Sequence, residues 1–252
     1  MKRLSLWCVF CIFGAIHSFA ATPQERFESA NRLFAEGNYT EAIVQYEEIQ
    51  KKDGVSASLL FNLANAQFKS GRVGKAILNL ERARLLRPND PDIAANLRII
   101  QETSGLRLRE IPWWHKQARA WSSDAWALLM FASGFTAMSL LVILMLKKSN
   151  RDMGGVRLAC GIFTILMLAG IIGFMGRWDE IDDAIVVAPN AVARISPFDT
   201  AEVAFPLPEG EKLRVKKRHN DFTLISNPLN QSGWTHSNDI QQIQDKKTIF
   251  LW

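Results

Sequence analysis

The sequence predicts a multi-domain membrane protein: an all-α repeat array, then two transmembrane helices, then a small all-β barrel. Three observations predict that order. FAEGNYTEAIVQYE, residues 34–47, returns as FKSGRVGKAILNLE, residues 68–81, so that Phe34, Gly37, Ala42, Ile43 and Glu47 match Phe68, Gly71, Ala76, Ile77 and Glu81. Ala125–Leu146 and Leu158–Met175 are apolar runs without a charge. After Trp178, short runs of β-formers alternate with Pro, Gly and Asn turns, the rhythm of an antiparallel barrel.

The chain opens with Lys2 and Arg3, continues through the apolar LSLWCVFCIFGAI and reaches the small residues around Ser18-Phe19-Ala20. This is the layout of a secretory signal peptide over residues 1–20, cut after Ala20. Cys8 and Cys11 lie in that segment and Cys160 in the last apolar run. The water-facing parts are thereby left without cysteine, which excludes a disulfide framework, a thiolate zinc site and a cysteine nucleophile outside the membrane. The net charge of +5 would suit nucleic acid, but the Lys and Arg residues are scattered and form no stripe, so no nucleic-acid partner is expected.

Residues 21–110 carry the array, with repeats at about 23–56 and 57–90 and a capping helix at 91–104. Helices are predicted over 23–36, 39–52, 56–70 and 73–86. Gly37 and Gly71 end the first helix of each repeat, where a left-handed backbone is wanted. Ala30, Ala42, Ala64 and Ala76 let the paired helices approach, and Tyr46 and Leu80 pack one turn further on. Pro88 stops the second repeat, and Asn89-Asp90-Pro91 starts the fifth helix. The period and this punctuation resemble the tetratricopeptide repeat, a helix-turn-helix unit. Arg26 and Gly54 depart from the pattern that Leu60 and Pro88 keep.

Phe27, Asn31 and Phe34 stand at i, i+4 and i+7 on the first helix, and Phe61, Asn65 and Phe68 repeat them on the third. In tetratricopeptide arrays that stripe lines the concave groove. The resemblance therefore implies that these six residues bind a protein or peptide partner, with the asparagine amides suited to gripping a peptide backbone.

The spans 125–146 and 158–176 are each long enough, at about 1.5 Å per residue, to cross a hydrocarbon core of about 30 Å. Trp121, Trp126 and Trp178 sit at their ends, where amphipathic rings favour the interface. The connecting loop, 147–157, sets Lys147, Lys148, Arg151 and Arg157 against the single acid Asp152. A short loop so basic is expected in the cytoplasm, which leaves both soluble parts on the periplasmic side of a bacterial inner membrane.

The runs AIVV, VARISP, AFPLPEGEKLRV, DFTLIS and GWTHSNDIQQI place a domain at 184–245 that resembles a bacterial SH3-like domain. Leu207-Pro208-Glu209-Gly210 is its turn and Gly233-Trp234 its late aromatic, while Asp221-Phe222 stands where the family often has Gly-Trp. Lys212, Arg214 and Lys216 alternate along one strand, a face that could meet anionic wall polymer or lipid headgroups. Asp179, Glu180, Asp182 and Asp183 lack the spacing of a calcium loop and read as a solvated linker.

Signal, two tetratricopeptide repeats, basic-looped hairpin and SH3-like end together resemble the BatE-type proteins of the Bacteroides aerotolerance operon. The match rests on GNYTEAI, LLFNLANAQFKSGRVGKAILNLERARLLRPND, AANL and the VVAP, VARISP, LPEGEKLRV and GW series. It implies a partner for membrane proteins with von Willebrand A domains and for a MoxR-type ATPase in a stress or aerotolerance system. The expected function is a scaffold. The alternative is a module that senses peptidoglycan through the SH3-like domain. His115, His219 and His236 stand isolated, with no HExxH motif or nucleophile elbow, so neither catalysis nor a metal or cofactor is expected.

Overall fold

The computed structural model describes residues 22–106, 121, 123–146, 154–178 and 182–244. The expected signal peptide, most of the 147–157 loop and His115 lie outside them.

Five helices form the array: α1 (Pro23–Ala35), α2 (Tyr39–Asp53), α3 (Ala57–Lys69), α4 (Val73–Leu86) and α5 (Pro91–Thr103). Their ends are set by local chemistry. Thr22 and Glu25 close a capping box at the start of α1, the Ser56 hydroxyl accepts from the Leu59 N–H at the start of α3, and Asp90 caps α5 ahead of Pro91. Gly37 and Gly71 take φ of +85° and +81° and turn the chain between paired helices. Ala30, Ala42, Ala64 and Ala76 are fully buried at the helix contacts. Arg26, the departure from the repeat pattern, holds Asp53 at the far end of α2 through an ion pair of 2.6 Å. α5 adds Ile93, Leu97 and Ile100 to the core of the second repeat.

α6 (Ser123–Leu146) and α7 (Gly154–Trp178) pack antiparallel, with Gly173 beneath the Trp126 ring, Gly170 against the Met130 backbone and Gly134 against Met167. Both are long and apolar enough to cross a membrane, with mean hydropathies of 2.2 and 2.4. Only 6% and 11% of their most apolar stretches is buried within the protein, unlike the core helices of a soluble domain.

The C-terminal part is one antiparallel sheet of β1 (Asp183–Val186), β2 (Ala191–Arg194), β3 (Val203–Leu207), β4 (Lys212–His219), β5 (Phe222–Ser226), β6 (Ser232–His236) and β7 (Ile240–Gln242). The strand order is β3-β2-β6-β5-β4-β1-β7. Its core is Ala184, Val186, Ala193, Leu207, Leu213 and Ile225. Asn190, Asn220 and Asn230 supply the left-handed turn positions.

The array and the sheet are joined. α4 lies along β1, and Ile77, Leu78 and Leu80 share one buried cluster with Ile185 and Ile243. Gly74 is required there: a Cβ would lie 2.3 Å from the Val186 carbonyl oxygen. Its N–H donates to Glu209 at 2.7 Å, and the Arg82 guanidinium donates to the carbonyls of Gln242 and Ile243 at 3.0 and 3.1 Å. Asp183, expected in a solvated linker, is buried instead. It opens β1, is 4% exposed, and meets the Lys212 ammonium at 3.0 Å, because α4 covers this end of the strand.

Candidate functional site

The sheet packs on α4, and the candidate stripe is carried by α1 and α3 with α5 beside them. Helical spacing puts Phe27, Asn31 and Phe34 on one stripe of α1, and Phe61, Asn65 and Phe68 on the same stripe of α3. All six are half-buried. The phenylalanine rings pack on the repeat cores while leaving one side open: Phe27 and Phe34 against the first, Phe61 and Phe68 against the second. Phe27 stands 6.0 Å from the Tyr46 ring, and Phe34 5.4 Å from that of Tyr39.

The asparagines are tied into the helix pairs. The Asn31 side-chain oxygen accepts from the Tyr46 hydroxyl at 2.7 Å and from the Asn62 amide at 2.9 Å. Burial pushes the Tyr46 hydroxyl up to about 12, so it stays protonated as a donor to Asn31. Asn65 accepts in the same way from Asn96 of α5 at 2.8 Å. Each asparagine bridges its helix to the next repeat, because its carbonyl end turns toward an amide on the first helix of the following pair.

Sequence reasoning missed Asn62 and Asn96. The signal was present, since they are separated by the same period as Asn31 and Asn65. The result is a ladder of four amides, Asn31, Asn62, Asn65 and Asn96, running across α1, α3 and α5. α5 thus does more than cap the stack, because it carries the last rung. A shallow depression beside the ladder is lined by Ala57, Phe61, Asn62, Arg87, Asp92 and Ile93.

Lys212, Arg214 and Lys216 do not share one exposed face. Lys212 turns into the joint between array and sheet, 3.0 Å from Asp183 and 3.7 Å from Glu81, which also pairs with Arg84. Arg214 is half-buried, paired in register with Asp183. A bulge between Val215 and Lys217 then breaks the alternation, leaving Lys216 exposed with its ammonium on the Ser232 hydroxyl at 2.8 Å. His236 approaches Asp199 at 2.7 Å, and its ring lies against Phe222. Among the described residues no group of three or more His, Cys, Asp or Glu is placed to hold a metal ion.

The sequence profile of the tetratricopeptide repeat matches residues 33–98, from the end of α1 into α5. No curated protein matches the chain. The chain therefore contains a tetratricopeptide repeat array, a fold that recruits protein partners, followed by two membrane-length helices and an antiparallel β domain.

Proposed function

We propose that this chain is a two-pass scaffold of the bacterial inner membrane that holds an extended segment of a protein partner across α1, α3 and α5 on the periplasmic side. The observation that carries the reading is the doubled Phe-Asn-Phe stripe with its amide ladder, left open because the β domain docks on α4 behind it. Half-buried rings offer apolar area, and the asparagine amides offer donors to an extended backbone. The basic 147–157 loop and the export signal support the sidedness. The resemblance to BatE-type proteins supplies the partner class, a membrane protein with a von Willebrand A domain in a MoxR-linked stress or aerotolerance system. The exposed Phe198 and Ile195 on the β domain favour a second reading, binding of peptidoglycan by an SH3-like module.

Alanine at Asn31 would leave the Tyr46 hydroxyl without its acceptor, at about 1–3 kcal/mol, so loss of binding and loss of stability would arrive together. A photo-crosslinking side chain separates them. Placed at Phe34 or Phe68 in intact membranes, it is expected to capture one discrete partner. Placed at Val44 on the outer face, which is 60% exposed, it should capture none. Capture from Val44 or Phe198 alone would move the binding surface elsewhere.

A further inference from the structure

A strongly basic stretch remains that the groove does not use: Lys216, Lys217, Arg218 and His219, consecutive and exposed on the arm of β4 that leads to the β4–β5 turn, with the Lys216 ammonium 2.8 Å from the Ser232 hydroxyl. Strand register says where the tip of that hairpin points. β1 leaves the end of α7 after four residues, 179–182, and β4 runs antiparallel to it, with Asp183 opposite Arg214. The ladder continues toward the membrane helix, since the Val215 N–H donates to the Asp182 carbonyl at 2.7 Å. β4 then runs on to His219. At about 3.3 Å per residue, with Lys216 taken up in the bulge, the tip stands about 13 Å beyond the level of Asp183. Four linker residues can span about the same distance at 3.3–3.6 Å each. β4 therefore carries the basic tip past Asp183 on the side from which Asp182 enters β1, while α4 packs along β1, with Gly74 against Val186 and Glu81 3.7 Å from Lys212, and leaves the tip exposed.

We propose that the Lys216–Lys217–Arg218 hairpin rests on the membrane that α6 and α7 cross and binds its anionic phospholipid headgroups. The proposal rests on the two-pass reading of those helices. Compact ammonium groups and a guanidinium fork suit phosphodiester oxygens. The His219 ring backs the hairpin at 6.2 Å from Trp234, whose indole is half-buried. Asp221 sits at the turn, and Asp199 at this end is engaged by His236. Asp182, whose carbonyl accepts from the Val215 N–H, is an anion with which the headgroups compete.

The test is amine footprinting of the full chain in nanodiscs of phosphatidylcholine alone or mixed with phosphatidylglycerol. Lys51 and Lys75, exposed on the array, serve as internal references. Lys216 and Lys217 should react roughly fivefold or more slowly in the anionic discs. High salt should restore the rate, because the screening length shrinks to about 3 Å at 1 M. The double variant Lys217→Glu, Arg218→Glu should leave Lys216 equally reactive in both lipids. Equal rates in the unmodified chain, or protection of Lys216 that survives the double variant, would overturn the proposal. A chain that an alkaline wash strips from vesicles would instead overturn the two-pass reading itself.

Discussion

The two repeats use one pattern on their inner sides and differ on the outer side of the second helix, position by position. Thr40 in the first repeat is exposed, whereas its counterpart Gly74 is buried against Val186. Val44 is 60% exposed and Leu78 is 2% exposed. Glu48 is exposed and pairs locally with Lys52, whereas Arg82 reaches the last strand of the β domain. Glu47 is half-buried, and Glu81 is buried among Arg84 and Lys212. The repeat specifies a helix pair. The divergence within it specifies what the pair is attached to, and here it fixes the β domain on repeat two rather than repeat one.

The largest effect that would test this contrast is at Leu78. Leu78→Ala should cost about 2–5 kcal/mol by removing buried area and leaving a cavity in the shared core. Val44→Ala at the matching exposed site should stay within about 0.5 kcal/mol. Urea unfolding of the whole chain in detergent measures both, and similar losses would break the comparison.

Gly74→Ala is expected to change sign with context. In the whole chain the new methyl meets the Val186 carbonyl and the Val187 backbone, an overpacking that costs about 1–3 kcal/mol. In the isolated fragment 22–106 nothing stands there, and alanine should gain up to about 1 kcal/mol from helix propensity. Thr40→Ala should behave alike in both settings. If Gly74→Ala has the same sign in both, Gly74 is not at the joint.

The array was legible because its signals are local. Glycine turns, alanine contacts and caps at Thr22, Ser56 and Asp90 lie within a few residues of the elements they shape, and the helix ends fall within about two residues of the predicted spans. The joint was not legible, because it brings together groups as distant as Gly74 and Glu209, each ordinary in its own stretch. One trace was present: a glycine inside a helix where the sister repeat has threonine, which weakens the helix unless something must approach closely. The same long-range contact removed Lys212 from the expected cationic face, since Glu81 and Asp183 together draw it inward. The stripe of Phe27, Asn31 and Phe34 followed from spacing alone. That Asn31 would accept from Tyr46 and Asn62 depended on how two neighbouring helices close around it.

The smallest expected effect is a pH slope at the joint between repeat two and the β domain. Burial raises the Asp183 carboxyl above its usual value of 3.8, and it outweighs the opposing pull of Lys212. Between its unfolded and folded values the unfolded chain has released this proton while the folded chain keeps it. The folded state then binds more protons, so this group's contribution to stability is full below about pH 4 and declines as pH rises through the folded value. Asp183→Asn cannot titrate. The stability of the natural chain minus that of the variant should therefore fall between pH 4 and pH 7, by less than about 1.4 kcal/mol per pH unit, the limit for one proton. Paired urea titrations at each pH measure the difference and cancel the other carboxylates. A difference that rises with pH would mean the Lys212 ion pair dominates over burial, and a flat one would mean that Asp183 stays in water and α4 does not cover β1.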